Sequence, residues 1–129
     1  MPRMVSIRHG RAGEYLACYL LEMAGIETFR VDGSFDLIAH SSQGELVRVE
    51  VKSATPNKQI HGGTYKFSRP RATLLADYYC LMALDLGLMR IIRGSLWRDR
   101  KTISMTKNKF TRALQQADLR WLKRDLTNR

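Results

Sequence analysis

Val47-Arg48-Val49-Glu50-Val51-Lys52 alternates apolar and charged residues without a break. Side chains of a β-strand point in turn to the two faces of a sheet, so this stretch turns three valines one way and Arg48, Glu50 and Lys52 the other. Glu50 and Lys52 then stand one strand repeat apart, roughly 6.5 Å. At that spacing a carboxylate can bind a cation while the ammonium beside it approaches a water or a phosphate. Upstream, Phe35 to His40 reads as another strand, overlapping Ser34-Phe35-Asp36-Leu37-Ile38-Ala39, and the polar Ser41-Ser42-Gln43-Gly44 joins it to the strand from Glu45 to Ser53. If the two strands pair through a turn near Gln43-Gly44, the Asp36 carboxylate reaches the same cation.

Outward from this pair, Gly10 to Ala24 carries Leu16, Leu20 and Met23 at helical spacing, with Tyr19 alongside and Gly25 as a stop. Ile26 to Val31 reads as a strand ended by the turn dipeptide Asp32-Gly33, which makes the first three strands an antiparallel meander. The segment from Pro56 to Gly63 is polar and glycine-containing, a loop, and Thr64 to Phe67 follows as a short strand. Ser68 to Ala76 reads as a short helix with Pro70 in its first turn. Tyr78 to Leu84 is an apolar run of strand length, as expected for a strand covered on both faces in a mixed sheet. Asp85-Leu86-Gly87 turns into a further strand around Met89 to Ile92. From Asn108 to Leu126 the spacing of Phe110, Leu114, Ala117 and Trp121 predicts an amphipathic helix. The expected class is α/β, one domain over residues 1–129.

Composition narrows the function. The 129 residues are 44% hydrophobic and 26% charged, an ordinary globular balance. No apolar run approaches the roughly 20 residues that span a bilayer, and Met1-Pro2-Arg3-Met4-Val5-Ser6 lacks the apolar block of a signal peptide, so a cytoplasmic location, in a cell or a virus-infected host cell, is the expectation. Cys18 and Cys80 form no framework of spacings and are expected as buried, reduced thiols. The net charge of +10 attracts polyanions, nucleic acid foremost. Within it, residues 12–52 hold seven of the twelve acidic side chains against three basic ones, Arg30, Arg48 and Lys52. An acidic pocket in a basic protein repels phosphate unless cations neutralise it, which is what metal-dependent phosphodiester chemistry requires. A solvated acidic patch has the same signature.

Gly13-Glu14, Gly25, Gly33-Ser34-Phe35-Asp36-Leu37-Ile38-Ala39 and Val49-Glu50-Val51-Lys52 together resemble the core of the PD-(D/E)XK nuclease superfamily, in particular archaeal Holliday-junction resolvases. Downstream, Tyr65-Lys66-Phe67 and Ala76-Asp77-Tyr78-Tyr79 are similar to intron-encoded homing endonucleases of the same superfamily. Phe35 departs from the pattern by standing where a proline is named. The resemblance implies a restriction-endonuclease-like αβββαβ core, a mixed sheet flanked by helices. It implies Asp36 and Glu50, with the Val51 carbonyl and Glu14 from the first helix, as ligands of one or two magnesium ions, for which manganese substitutes. Lys52 becomes the catalytic lysine, and Ser34 matches a serine just before the aspartate strand.

Basic residues on either side of this centre, Arg3, Arg8 and Arg11 before it and Lys58, Lys66, Arg69 and Arg71 after it, are expected to hold DNA by its phosphates. His9 and His61 are candidate phosphate donors, though read first as solvated loop histidines, and Trp97 and Trp121 candidate stacking residues, Trp121 reading first as core or a dimer contact. The expected activity is metal-dependent DNA endonuclease action, on a branched junction by a homodimer, without a small-molecule cofactor. A duplex endonuclease of homing or restriction type and a non-catalytic nucleic-acid-binding module stand as alternatives.

Overall fold

The computed structural model describes residues 3–31, 36–56, 63–68, 75–98 and 100–129; the side chains of residues 3–7 and of Asp36 are outside that description. The predicted Asp32-Gly33 turn, most of the 56–63 loop and most of the predicted 68–76 helix fall outside it as well.

The first helix, α1, runs Arg3–Met23, a turn or two earlier than its apolar spacing predicts. Its buried side is Gly13, Glu14, Ala17 and Leu21, while Tyr19 and Met23 are 60% and 71% exposed and Leu16 and Leu20 only flank the core. Small residues decide the face. A Cβ added at Gly13 would lie 1.9 Å from Ser53 Oγ, so the helix rests closer to the sheet than a line of leucines allows. Gly25 ends it at φ +82°, with the Ile26 N–H donating to the Leu21 carbonyl and the Gly25 N–H to that of Glu22, each at 2.9 Å.

Strands β1 (Thr28–Arg30), β2 (Asp36–His40) and β3 (Leu46–Ala54) form the predicted meander. β4 (Thr64–Ser68) follows, then β5 (Tyr78–Ala83), β6 (Leu88–Arg93) and β7 (Thr102–Thr106). The main sheet has the order β1-β2-β3-β5-β6, with β3 and β5 parallel and the other pairs antiparallel, so it is mixed. β4 and β7, the latter unforeseen, pair into a separate two-stranded ribbon. β5 is buried along its whole length, as its unbroken apolar run predicts.

The two faces of β5 divide the core. Tyr78, Cys80 and Met82 join a cluster with Ala17 and Leu21 of α1 and Leu119, Leu122 and Leu126 of the last helix, α2 (Arg112–Asn128). Tyr79, Leu81 and Ala83 join another with Tyr65 and Phe67 of β4 and Ile103 of β7. Both helices therefore cover one face of the sheet, and the ribbon covers part of the other.

Thr111 caps α2, its hydroxyl accepting from the Leu114 N–H at 3.1 Å. The predicted stripe is corrected here: the buried line of α2 is Gln115, Asp118, Leu119, Leu122 and Leu126. Phe110 precedes the helix and packs against Tyr65. The two polar residues face the outer edge of β6, whose outward N–H groups have no strand partner among the described residues. Gln115 Oε1 accepts from the Met89 N–H at 3.0 Å, and Asp118 Oδ2 from the Ile91 N–H and Arg90 Nε, both at 2.8 Å. Trp97 is not available for stacking on bases: it is fully buried, edge-on to Tyr79 at 4.7 Å. Trp121 is half-buried against Tyr78, with the Arg93 guanidinium over its ring. Cys18 and Cys80 are free thiols. This mixed five-stranded sheet with flanking helices is the restriction-endonuclease-like core expected from the sequence.

Candidate active site

Asp77 fixes the strand on which the site is built. Its N–H donates to the Arg48 carbonyl at 3.0 Å and its Oδ2 accepts from the Arg48 N–H at 2.9 Å. The clamp sets β5 against β3 so that Glu50 pairs with Tyr79 and Lys52 with Leu81. On the other side the register of β2 and β3 ends with Asp36 opposite Glu50. Residues directly opposite in an antiparallel pair have Cβ atoms about 5 Å apart and share a face. The backbone thus brings together the two positions at which the sequence predicts metal-binding carboxylates.

Because Val47, Val49 and Val51 are buried toward the helices, Glu50 and Lys52 stand on the opposite, ribbon side. Lys52 Nζ lies 3.9 Å from Glu50 Oε1, an ion pair too long for a good hydrogen bond. Both line a cleft with Val51, with His9 and Gly10 of α1, and with Lys66 of β4. Val51 hides its side chain in the core, so it meets the cleft through its main chain. Lys66 was expected among the DNA-binding residues, and the ribbon carries it to the cleft. Arg8 and Arg11 are exposed on α1, Arg8 next to the cleft-lining His9. The side chain of Arg3 and all of Ser34, Lys58, His61, Arg69 and Arg71 lie outside the described residues.

Glu14 is elsewhere. It is fully buried on the sheet-facing side of α1, Oε1 accepting from Arg30 Nε, and it does not line the cleft. Its Oε2 is buried with no hydrogen-bond partner among the described residues. That pairing holds the proton on the Arg30 guanidinium more firmly, its pKa raised first by the Glu14 hydrogen bond. Nothing in the alternation of the sequence signals the Arg30 pairing, since sixteen residues separate the two.

The fold on which this cleft sits has a solved counterpart. The chain is similar in structure to a bacterial homing endonuclease, I-Ssp6803I. The TM-score is 0.69 over 91% of this chain and 90% of that one, with 18% of residues identical. At that identity the likeness is one of fold. No protein-family model matches the chain, and no curated protein matches it.

The donor set can be weighed for a metal ion. Among the described residues no three His, Cys, Asp or Glu side chains gather into a ligand group. The cleft offers the Glu50 carboxylate and the main chain of Val51, and the register sets Asp36 beside Glu50. All are hard oxygen donors, few in number, which suits magnesium: it keeps several waters and takes one or two carboxylates. Two like charges directly opposite on neighbouring strands are unfavourable unless a cation lies between them. The residues fit the ion.

Proposed function

We propose that the chain is a divalent-metal-dependent DNA endonuclease whose centre is Asp36, Glu50 and Lys52. The observation that carries this reading is the register of Asp36 opposite Glu50, with Lys52 one repeat along the same strand and face. The net charge of +10 and the fold shared with a homing endonuclease support DNA as the substrate.

The reaction is hydrolysis of a phosphodiester. A water oxygen bonds to phosphorus, the bond from phosphorus to the sugar oxygen breaks, and that oxygen leaves with a proton. A bound magnesium ion would lower the pKa of its water and neutralise charge growing on the phosphate. Asp36, Glu50 and the Val51 carbonyl would hold it. Lys52 Nζ orients the attacking water or balances charge on the phosphate oxygens, and Lys66 with Arg8 and Arg11 draws the backbone to the cleft. Glu14, with Oε1 held by Arg30, would meet a second ion through Oε2, directly or through water.

A four-way junction is the first substrate proposed, cut by a homodimer that places two clefts on opposed strands. A linear duplex is the second, prompted by the fold shared with a homing endonuclease. Incubating a labelled junction and a linear duplex of matched sequence with magnesium separates them. Paired cuts confined to the junction support a resolvase, and equal cutting of the duplex removes the junction preference.

A further inference from the structure

The β4–β7 ribbon has an inner face and an outer face of different chemistry. Tyr65, Phe67 and Ile103 point inward and are buried. Outward stand Lys66, Ser68, Thr102 and Ser104, all exposed, with Lys66 opposite Ser104 and Ser68 opposite Thr102. The outer quartet is one ammonium and three hydroxyls. Thr106, at the end of β7, bonds Asn108 instead.

The surroundings are strongly basic. From Leu86 to Ala117 the chain carries eight basic side chains and one acidic. Arg98, Arg100, Lys101, Lys107 and Lys109 are exposed immediately before and after β7. One residue ties this surface to the cleft: Lys66 belongs to the outer quartet and also lines the cleft with Glu50 and Lys52.

We infer that the outer face of the β4–β7 ribbon reads duplex DNA, entering the major groove with its hydroxyls toward base edges while the flanking Lys and Arg side chains hold the phosphates on either side. Two strands about 4.8 Å apart fit within a groove about 12 Å wide. Ser and Thr hydroxyls donate to or accept from base edges, and a ribbon without carboxylates meets no repulsion from the backbone. The inference rests on the endonuclease reading and extends it: a duplex arm is present whether the cut bond lies at a branch or in a linear site.

The test uses the full chain and a pool of random-core duplexes in calcium or EDTA, so that binding proceeds without hydrolysis. Bound DNA is recovered and sequenced for the unaltered protein and for the Ser68→Ala, Thr102→Val, Ser104→Ala triple variant. The unaltered protein is expected to enrich a motif, and methylation of guanine N7 within it to block binding. The triple variant loses positions of that motif, with affinity for the enriched sequence falling roughly tenfold for each base contact removed. A motif unchanged in the variant, or insensitive to N7 methylation, or binding with no motif at all, overturns the ribbon reading and leaves the endonuclease standing. Should the triple variant fail to fold, the methylation result alone decides. No retention of DNA by the unaltered protein overturns the endonuclease reading itself.

Discussion

On the proposed reading, Asp36 and Glu50 serve a ligand rather than the fold. Two carboxylates at directly opposed positions cost a fold about 0.5 kcal/mol where nothing neutralises them, and the register puts Asp36 opposite Glu50. Asp36→Asn is therefore expected to unfold at a slightly higher temperature than the unaltered protein in chelator. Magnesium should then raise the melting temperature of the unaltered protein but not that of the variant, since only a state that binds the ion gains from it. Melting curves with and without magnesium check both, and a lower melting temperature for Asp36→Asn in chelator would mean that the carboxylate is structural. Lys52→Ala tests the other half of the centre: cleavage should fall about 10²-fold or more with little change in stability. This part of the site was legible because alternation along six residues fixes the face of each. Glu14 was legible as a residue and not as a neighbour, for its buried pairing with Arg30 joins a helix to a strand across a gap that no local pattern reports.

At the scale of elements, Asp118 is the hinge between α2 and the sheet. Its two oxygens accept from the Ile91 N–H, Arg90 Nε and, at 3.0 Å, the Trp121 indole. Removing it takes the acceptor from a strand N–H and from the Trp121 indole and leaves the Arg90 guanidinium only the Lys109 carbonyl, so Asp118→Ala is expected to cost about 2–4 kcal/mol in urea denaturation. A cost below about 0.5 kcal/mol would show that water replaces the carboxylate freely. Gly94→Ala offers an independent check, because the added Cβ would lie 1.8 Å from the Ala76 carbonyl oxygen and the backbone there must shift. The strands of the meander and the buried run at Tyr78 were readable from alternation and from apolar length. The packed faces of both helices were not. On α1 the smallness of Gly13 and Ala17 outweighs the leucine spacing, and on α2 polar residues are buried because an edge strand satisfies them. β7 escaped notice because Thr102 to Thr106 exposes its polar residues and buries only Ile103 fully.

Over the whole molecule, burial holds two acidic groups neutral far above their usual range. The Cys80 thiol is pushed up to about 12, first by burial, and the Tyr65 hydroxyl to about 12 by burial and by its bond to Asp85. In the unfolded chain these groups lose protons near 9.0 and 10.0. Their contribution is complete below pH 9 and is lost as pH rises toward 12, because the unfolded state releases protons first. Stability should fall steadily across that window, and the fall should begin later in Cys80→Ala. Cys80 should also resist iodoacetamide at pH 8 until the protein unfolds. Among the described residues no helix is long and apolar enough to cross a membrane. Beside the cleft of Glu50 and Lys52 the described residues carry exposed basic side chains, Arg8, Arg11 and Lys66 among them. The measurement to make is nicking of supercoiled plasmid by the unaltered protein and by Glu50→Gln, with magnesium and with chelator. The account predicts magnesium-dependent nicking that falls at least about 10²-fold in the variant. Nicking that persists in chelator, or that Glu50→Gln leaves intact, would contradict it.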